Sequence, residues 1–221
     1  MPQAAGEGVL PRKFTARYLR RFRFLAQTLF DVGVGAGTPE LYTLFAGRKL
    51  VLIDPLAEVE ENLRKRRPGL AFDFIAAALG SEEGRAVLNI TEVASKTGIP
   101  ERTPLTAEKI IERRRVPVTT LDRIVAESAF PEPFGLKLDT EGFELEILRG
   151  AERALQKTEF IIAEVSLKKR FLGGYRFSEV VALLGSRGFE LIDILNFRGG
   201  VARFYDCLFL RYDHPVFEGR S

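Results

Sequence analysis

The sequence is short of the residues that staple a chain or bind a transition metal: among 221 residues there is one cysteine, Cys207, and one histidine, His214. A single cysteine excludes an intramolecular disulfide and suits a reducing compartment. No apolar run approaches the ~20 residues that a membrane helix needs, and Met1 to Leu10 lacks the apolar core of a signal peptide, so a cytoplasmic protein without an integral membrane segment is expected. There is no internal repeat, low-complexity tract or linker. Acids are absent from residues 8–30, which carry Arg12, Lys13, Arg17, Arg20, Arg21 and Arg23, whereas the whole chain has a net charge of only +3. Basic character confined to one segment argues against nucleic acid as a partner. Phe14, Tyr18, Leu19, Phe22 and Phe24 alternate with those arginines at roughly helical spacing. They predict an amphipathic helix within residues 1–27, packed on the domain with its arginines in water; a helix on an anionic surface is the alternative reading.

What is present is ordinary for one mixed globular domain, with 46% hydrophobic and 29% charged residues. From Thr28 to the C-terminus, short apolar runs alternate with amphipathic stretches, the pattern of βα units stacked into a parallel sheet. Strands are predicted at "TLFDVG", "KLVLID", "LAFDFIAAAL", "FGLKLD" and "FIIAEVS". The last two runs, "FELIDILNF" and "RFYDCLFLRY", are separated only by "RGGVA", too short for a crossover, so they must pair antiparallel. The alternation breaks at 84–120, where "GRAVLNI" and "RVPVTTLD" flank a polar stretch, and an inserted hairpin or lid is expected there.

"LFDVGVGAGTPELY" places Gly33, Gly35 and Gly37 directly after the first strand. A chain turning there into a helix needs backbone freedom and leaves room for a ligand against the helix N-terminus. The spacing is G-x-G-x-G, with Thr38 where a dinucleotide fingerprint would need its third glycine. Preceded by Asp31, it is the spacing of nucleoside-dependent methyltransferases. Asp54 ends the second strand about 20 residues after the first glycine, the distance at which a carboxylate reaches ribose hydroxyls, although it could equally cap the helix that Pro55 begins.

"DVGVGAG", "LIDP", "AALGSEEGRAVLNI", "VPVTTLDRI", "GLKLDTEGFELEILRGAERAL" and "IIAEVS" occur in the order and spacing of the FkbM-type S-adenosylmethionine-dependent methyltransferases, which the chain resembles from Asp31 to Ser166. The family commonly has Asn where Gly35 stands and Glu where Asp54 stands. The resemblance implies a Rossmann-like methyltransferase fold, α/β, with a mostly parallel seven-stranded sheet, S-adenosylmethionine as cofactor, and methyl transfer to a hydroxyl of a sugar or secondary metabolite. Carried across, it assigns Asp31, Gly33, Gly35 and Gly37 to the methionine end of the cofactor, Asp54 to its ribose, and Ala78 and Leu79, at the end of the third strand, to the adenine side.

Ligands of open α/β sheets bind outside the C-terminal ends of the strands, where "GLKLDTEGFELEI" puts Asp139. An alcohol acceptor has to lose its proton, and a carboxylate in reach can take it. Asp139 is the first candidate for that base, Glu141 the second and Glu164 the third. The helix dipole alone accounts for Glu144. A magnesium-type cation held by the three acids is the alternative; a transition metal is not expected, since no histidine lies near them, and no metal is assigned. Lys168, Lys169 and Arg170 either meet an anionic group of the acceptor or stay in water, and "IIERRRVP" reads as a lid rim or a charged helix face. His214 is expected to be exposed in a tail and Cys207 to be a small core residue. The rival readings are a nicotinamide-dependent oxidoreductase and a non-catalytic cofactor-binding module.

Overall fold

The computed structural model describes residues 13–196 and 202–219. Along them run α1 (Ala16–Leu19), β1 (Thr28–Val32), α2 (Pro39–Leu44), β2 (Lys49–Ile53), α3 (Ala57–Arg66), β3 (Asp73–Ile75), β4 (Ala78–Leu79), β5 (Gly84–Thr91) and β6 (Ile110–Thr119). There follow α4 (Leu121–Glu127), β7 (Phe134–Leu138), α5 (Glu144–Arg149), α6 (Glu152–Gln156), β8 (Thr158–Ser166), α7 (Phe177–Ser186), β9 (Phe189–Ile194) and β10 (Phe204–Arg211). Seven strands form one sheet in the order β3-β2-β1-β7-β8-β10-β9, parallel except for β10, which pairs antiparallel with β8 and β9. β5 and β6 pair antiparallel and β4 joins β6 in a separate three-stranded sheet. Among the described residues no helix is long and apolar enough to cross a membrane.

Central parallel strands are covered on both faces and should be apolar throughout. β1, β7 and β8 are buried at every position. Phe30, Val32, Leu136, Leu138, Ile161 and Ala163 face a core shared with α4 to α7. The alternate residues Leu29, Leu52, Ile162 and Leu208 face a second core with α2, α3 and the N-terminal segment. Local rules fix the helices: in α3, Glu60 accepts from Arg64 and Glu61 from Lys65 one turn on, and Thr120 caps α4 by accepting from the Arg123 amide.

Four sequence expectations need correction. Instead of a continuous N-terminal helix, the described residues hold one α turn and a 3-10 turn at Arg20–Phe22, and Arg23, at a φ of 50°, sends the chain into extended structure. Continuing the helix would lift Phe24 off Phe160, on which it stacks at 4.1 Å. Residues 1–12, with Arg12, lie outside the described residues. The run "LAFDFIAAAL" is not one strand: the Ala77 amide turns back to the Ile75 carbonyl, and the chain leaves the large sheet for the small one, so Ala78 and Leu79 belong to β4. α3 starts at Ala57, two residues after Pro55. His214 is buried, not exposed: its Nδ1 accepts from the Val216 amide and its Nε2 lies 3.4 Å from Glu159.

Candidate active site

The glycine loop leaves β1 with Gly33 at a φ of 76°, its amide donating to the Ile53 carbonyl. A Cβ on Gly33 would sit 1.9 Å from the carbonyl oxygen of Asp139, so the loop is pressed directly on the end of β7 and only glycine fits. Gly35 differs: at a φ of 50° it has nothing within 4 Å of where a Cβ would stand, so its outer side is open. Its amide donates to Asp54 Oδ2, while Oδ1 accepts from the Leu56 amide. Asp54 therefore anchors the glycine loop and caps the turn into α3 together. Burial raises its pKa, and backbone amides led by that of Leu56 pull it back.

Asp31 lies beneath this loop, fully buried. Its Oδ2 accepts from the Tyr42 hydroxyl at 2.6 Å, and its Oδ1 is the one buried side-chain polar atom among the described residues that lacks a hydrogen-bond partner. Desolvation raises its pKa against the pull of Lys137 and Tyr42. Asp31 is in register with Lys137 of β7, whose Nζ lies 3.9 Å from the orphaned oxygen and 2.9 Å from Asp139 Oδ2.

Asp139, Glu141 and Glu164 converge as the sequence predicts, each with a carboxylate oxygen within 4.8 Å of the others'. They are not equivalent. Glu141 Oε2 accepts from both Arg102 and Arg170, and Glu164 Oε1 accepts from Arg170. Among the described residues Asp139 pairs only with Lys137, and its side chain is 35% exposed. Desolvation, then the charges of Asp139 and Glu141, push Glu164 up to about 9 despite Arg170. Desolvation also raises Glu141 against the two guanidinium charges. Glu144, assigned above to the helix dipole alone, does more: it accepts from the amides of Thr140 and Gly142 and from the hydroxyls of Thr140 and Tyr175. It shapes the turn that carries Asp139 and Glu141, the latter at a left-handed φ of 56°.

The segment between β5 and β6 crosses the loop after β8. The Thr103 amide and Thr106 hydroxyl donate to the Arg170 carbonyl, the Leu172 amide donates to the Glu101 carbonyl, and Arg102 packs over Phe171. Beneath it lies a cavity of about 260 Å³, lined by the three acids and by Lys96, Arg102, Arg170 and Phe204 among others.

Sequence reasoning placed Asp139, Glu141 and Glu164 together and the glycines beside Asp54. Of the basic trio, Lys168 and Lys169 are exposed and Arg170 is buried in the cluster. "IIERRRVP" is strand β6 rather than a helix face, with Arg114 paired to Glu58 and Glu112. Ala78 and Leu79 are buried in β4, with Leu79 in the main core. Missed were Arg102 and Lys137. Lys137 carried a readable signal, a lone cation inside the apolar run "FGLKLD"; Arg102 carried none.

A model of the methyltransferase FkbM domain matches residues 31–191. The hexuronic acid methyltransferase AglP of Haloferax volcanii is 43% identical over 44 residues, 20% of this chain and 18% of that enzyme, so the chain spans under a fifth of that relative's length. Among solved structures, the magnesium protoporphyrin IX methyltransferase of Synechocystis PCC 6803 with bound S-adenosylmethionine aligns over 89% of this chain and 76% of its own, with a TM-score of 0.50 and 12% identity. A candidate rRNA methylase of Clostridium thermocellum aligns over 89% and 94%, with a TM-score of 0.51 and 11% identity. At such identities these two likenesses concern the fold alone.

Proposed function

The chain belongs to the FkbM family of methyltransferases, with S-adenosylmethionine as its cofactor, and from that premise we propose that it methylates a hydroxyl oxygen of a sugar or secondary metabolite, with Asp139 as the base. The observation that carries this reading is the unequal pairing of the three acids: Asp139 alone has no guanidinium partner, and it alone is substantially exposed.

The residues at the strand ends fit the cofactor. The open side of Gly35 leaves room against the backbone, Asp54 ends β2 at ribose distance along the chain, and the unpartnered Asp31 oxygen is a buried acceptor beneath the loop. We assign Asp31, Gly33, Gly35 and Gly37 to the methionine end and Asp54 to the ribose. Gly33 acts there through the close packing it permits. Ala78 and Leu79, on β4, serve as an apolar wall toward the adenine. When bound, the cofactor supplies an electrophilic methyl group on a sulfonium.

The chain's part is then alignment and proton removal. Asp139 accepts the proton of the acceptor hydroxyl, while Lys137 holds its other oxygen. Glu141, clamped by two arginines, ties the lid and the β8 loop to the turn that carries the base, a role that leaves it poorly placed to accept a proton. Glu164 stays close to neutral and presents a polar carboxyl to the acceptor. The charged side chains around the cavity suit a hydroxylated acceptor, and the short likeness to a hexuronic acid methyltransferase supports a sugar.

Calorimetric titration with S-adenosylhomocysteine, with NADH as control, tests the premise, and a screen of hydroxylated acceptors with labelled methyl donor tests the reaction. Micromolar binding of the first and none of the second is expected. Binding of NADH alone would return the oxidoreductase reading.

A further inference from the structure

Lys137 is the only buried lysine among the described residues, and the reading above uses it merely as a neighbour of Asp139. The two-residue repeat of a strand explains its company. On one face of the sheet, toward the C-terminal ends of the parallel strands, stand Asp31 in β1, Lys137 in β7, Asp139 just beyond it, Glu164 in β8 and, opposite Glu164 on antiparallel β10, Asp206. An ammonium taken from water is costly unless it is well paired. Burial alone would push Lys137 down, but Asp139 and Asp31, then the bond to Asp139 and the charge of Asp206, outweigh it and hold it charged. Packing by itself would be met by methionine, which has similar length and no charge to desolvate.

We propose that Lys137 is a positioning residue, a single ammonium shared between Asp31 beneath the cofactor loop and Asp139 at the cavity mouth, which offsets the burial of the first and orients the second. The proposal rests on the reading of that loop as the cofactor site. The other groups facing this pair are the Tyr42 hydroxyl on Asp31, Glu141 and Glu164 on the side of Asp139, and Arg102 and Arg170, which are engaged by those two glutamates. Among the described residues, the cation that acts on Asp31 is Lys137. Without the ammonium, the buried Asp31 carboxyl holds a proton more tightly, and a ligand ammonium that docks on it favours the ionised form and drives that proton off.

The test needs no acceptor. S-adenosylhomocysteine is titrated calorimetrically into wild type, K137R, K137M and D31N/K137M near pH 7.5, in two buffers of different ionisation enthalpy. Wild type and K137R should bind within about threefold of each other, and K137M at least about tenfold more weakly and with more proton release than either. D31N/K137M should lose that excess. Wild-type affinity with wild-type proton release in K137M overturns the proposal, as does an excess that persists in D31N/K137M. If K137M does not fold, D31N/K137M decides: folding restored by removing the opposite charge supports the pairing, and failure of both variants reduces Lys137 to packing. A wild type that does not bind S-adenosylhomocysteine refutes the cofactor reading itself, and the proposal falls with it.

Discussion

Replacing Arg170 with methionine strips the partner from two buried acids at once. The Arg170 side chain is 5% exposed, donates to Glu141 and Glu164, and lies over the rings of Phe171 and Phe204. Methionine keeps much of the ring contact and removes the charge, and breaking a buried ion pair from one side costs about 3–5 kcal/mol. For a domain of this size that is a fall in Tm of about 6–20 °C. The loss has a definite pH signature. Glu164 already sits above its ordinary 4.5, at about 9, so its contribution to stability is fully present below pH 4.5 and is lost as pH rises toward 9. Glu164, protonated over most of the range below about 9, adds little to the difference between pH 5 and pH 8, so the signature comes from Glu141: without Arg170 it is harder to ionise, and the deficit against wild type should be larger near pH 8 than near pH 5, where protonation relieves its unpaired charge. Thermal unfolding of wild type, R170M and R170M/E141Q at the two pH values measures it, with the double variant expected to recover part of the loss at pH 8. Equal deficits at both pH values would show that Arg170 acts by shape, and the account of the cluster as a charge network would be wrong.

Asp139→Asn should bind S-adenosylhomocysteine normally and lose at least about a hundredfold in methylation once an acceptor is found; activity within a few-fold of wild type removes Asp139 as the base. Substitutions at Gly33 and Gly35 should separate. Gly33→Ala meets backbone at 1.9 Å and should unfold or badly destabilise the protein. Gly35→Val, with no protein atom in its way, should fold, since its cost is a left-handed φ of about 1–2 kcal/mol, but should weaken S-adenosylhomocysteine binding; undiminished affinity would make the loop a plain turn. Gly135→Ala puts a Cβ 2.4 Å from the Phe160 ring, which stacks on Phe24 and Phe45, and should cost about 1–3 kcal/mol in urea unfolding while leaving the cofactor site intact.

What was legible in the sequence was what a short window dictates. The glycine spacing, Asp54 at the end of "LVLID", the buried strands and the closing antiparallel pair are each set by contiguous residues. So was the arrival of Asp139, Glu141 and Glu164 at one edge, because parallel strands present the same end to the same side. What escaped depended on contacts between distant segments. Arg102 reaches Glu141 across 39 positions, and nothing near Arg102 distinguishes it from the exposed arginines of β6. The third strand looked continuous because the pattern of apolar residues does not record a change of sheet between Ile75 and Ala78. His214 looked like a tail residue because Glu159, its partner, lies at the start of β8.

Glu144 joins two loops with one side chain: it holds the amides of the turn bearing Asp139 and, through Tyr175, the loop that follows β8. That second loop is in turn hydrogen-bonded to the segment roofing the cavity through Thr103, Thr106 and Leu172. The roof is therefore tied, through that loop and Glu144, to the turn that bears Asp139. On the proposed reading of Asp139 as the base, the roof and the base are braced as one unit, so a substitution that shifts either one is expected to disturb the other.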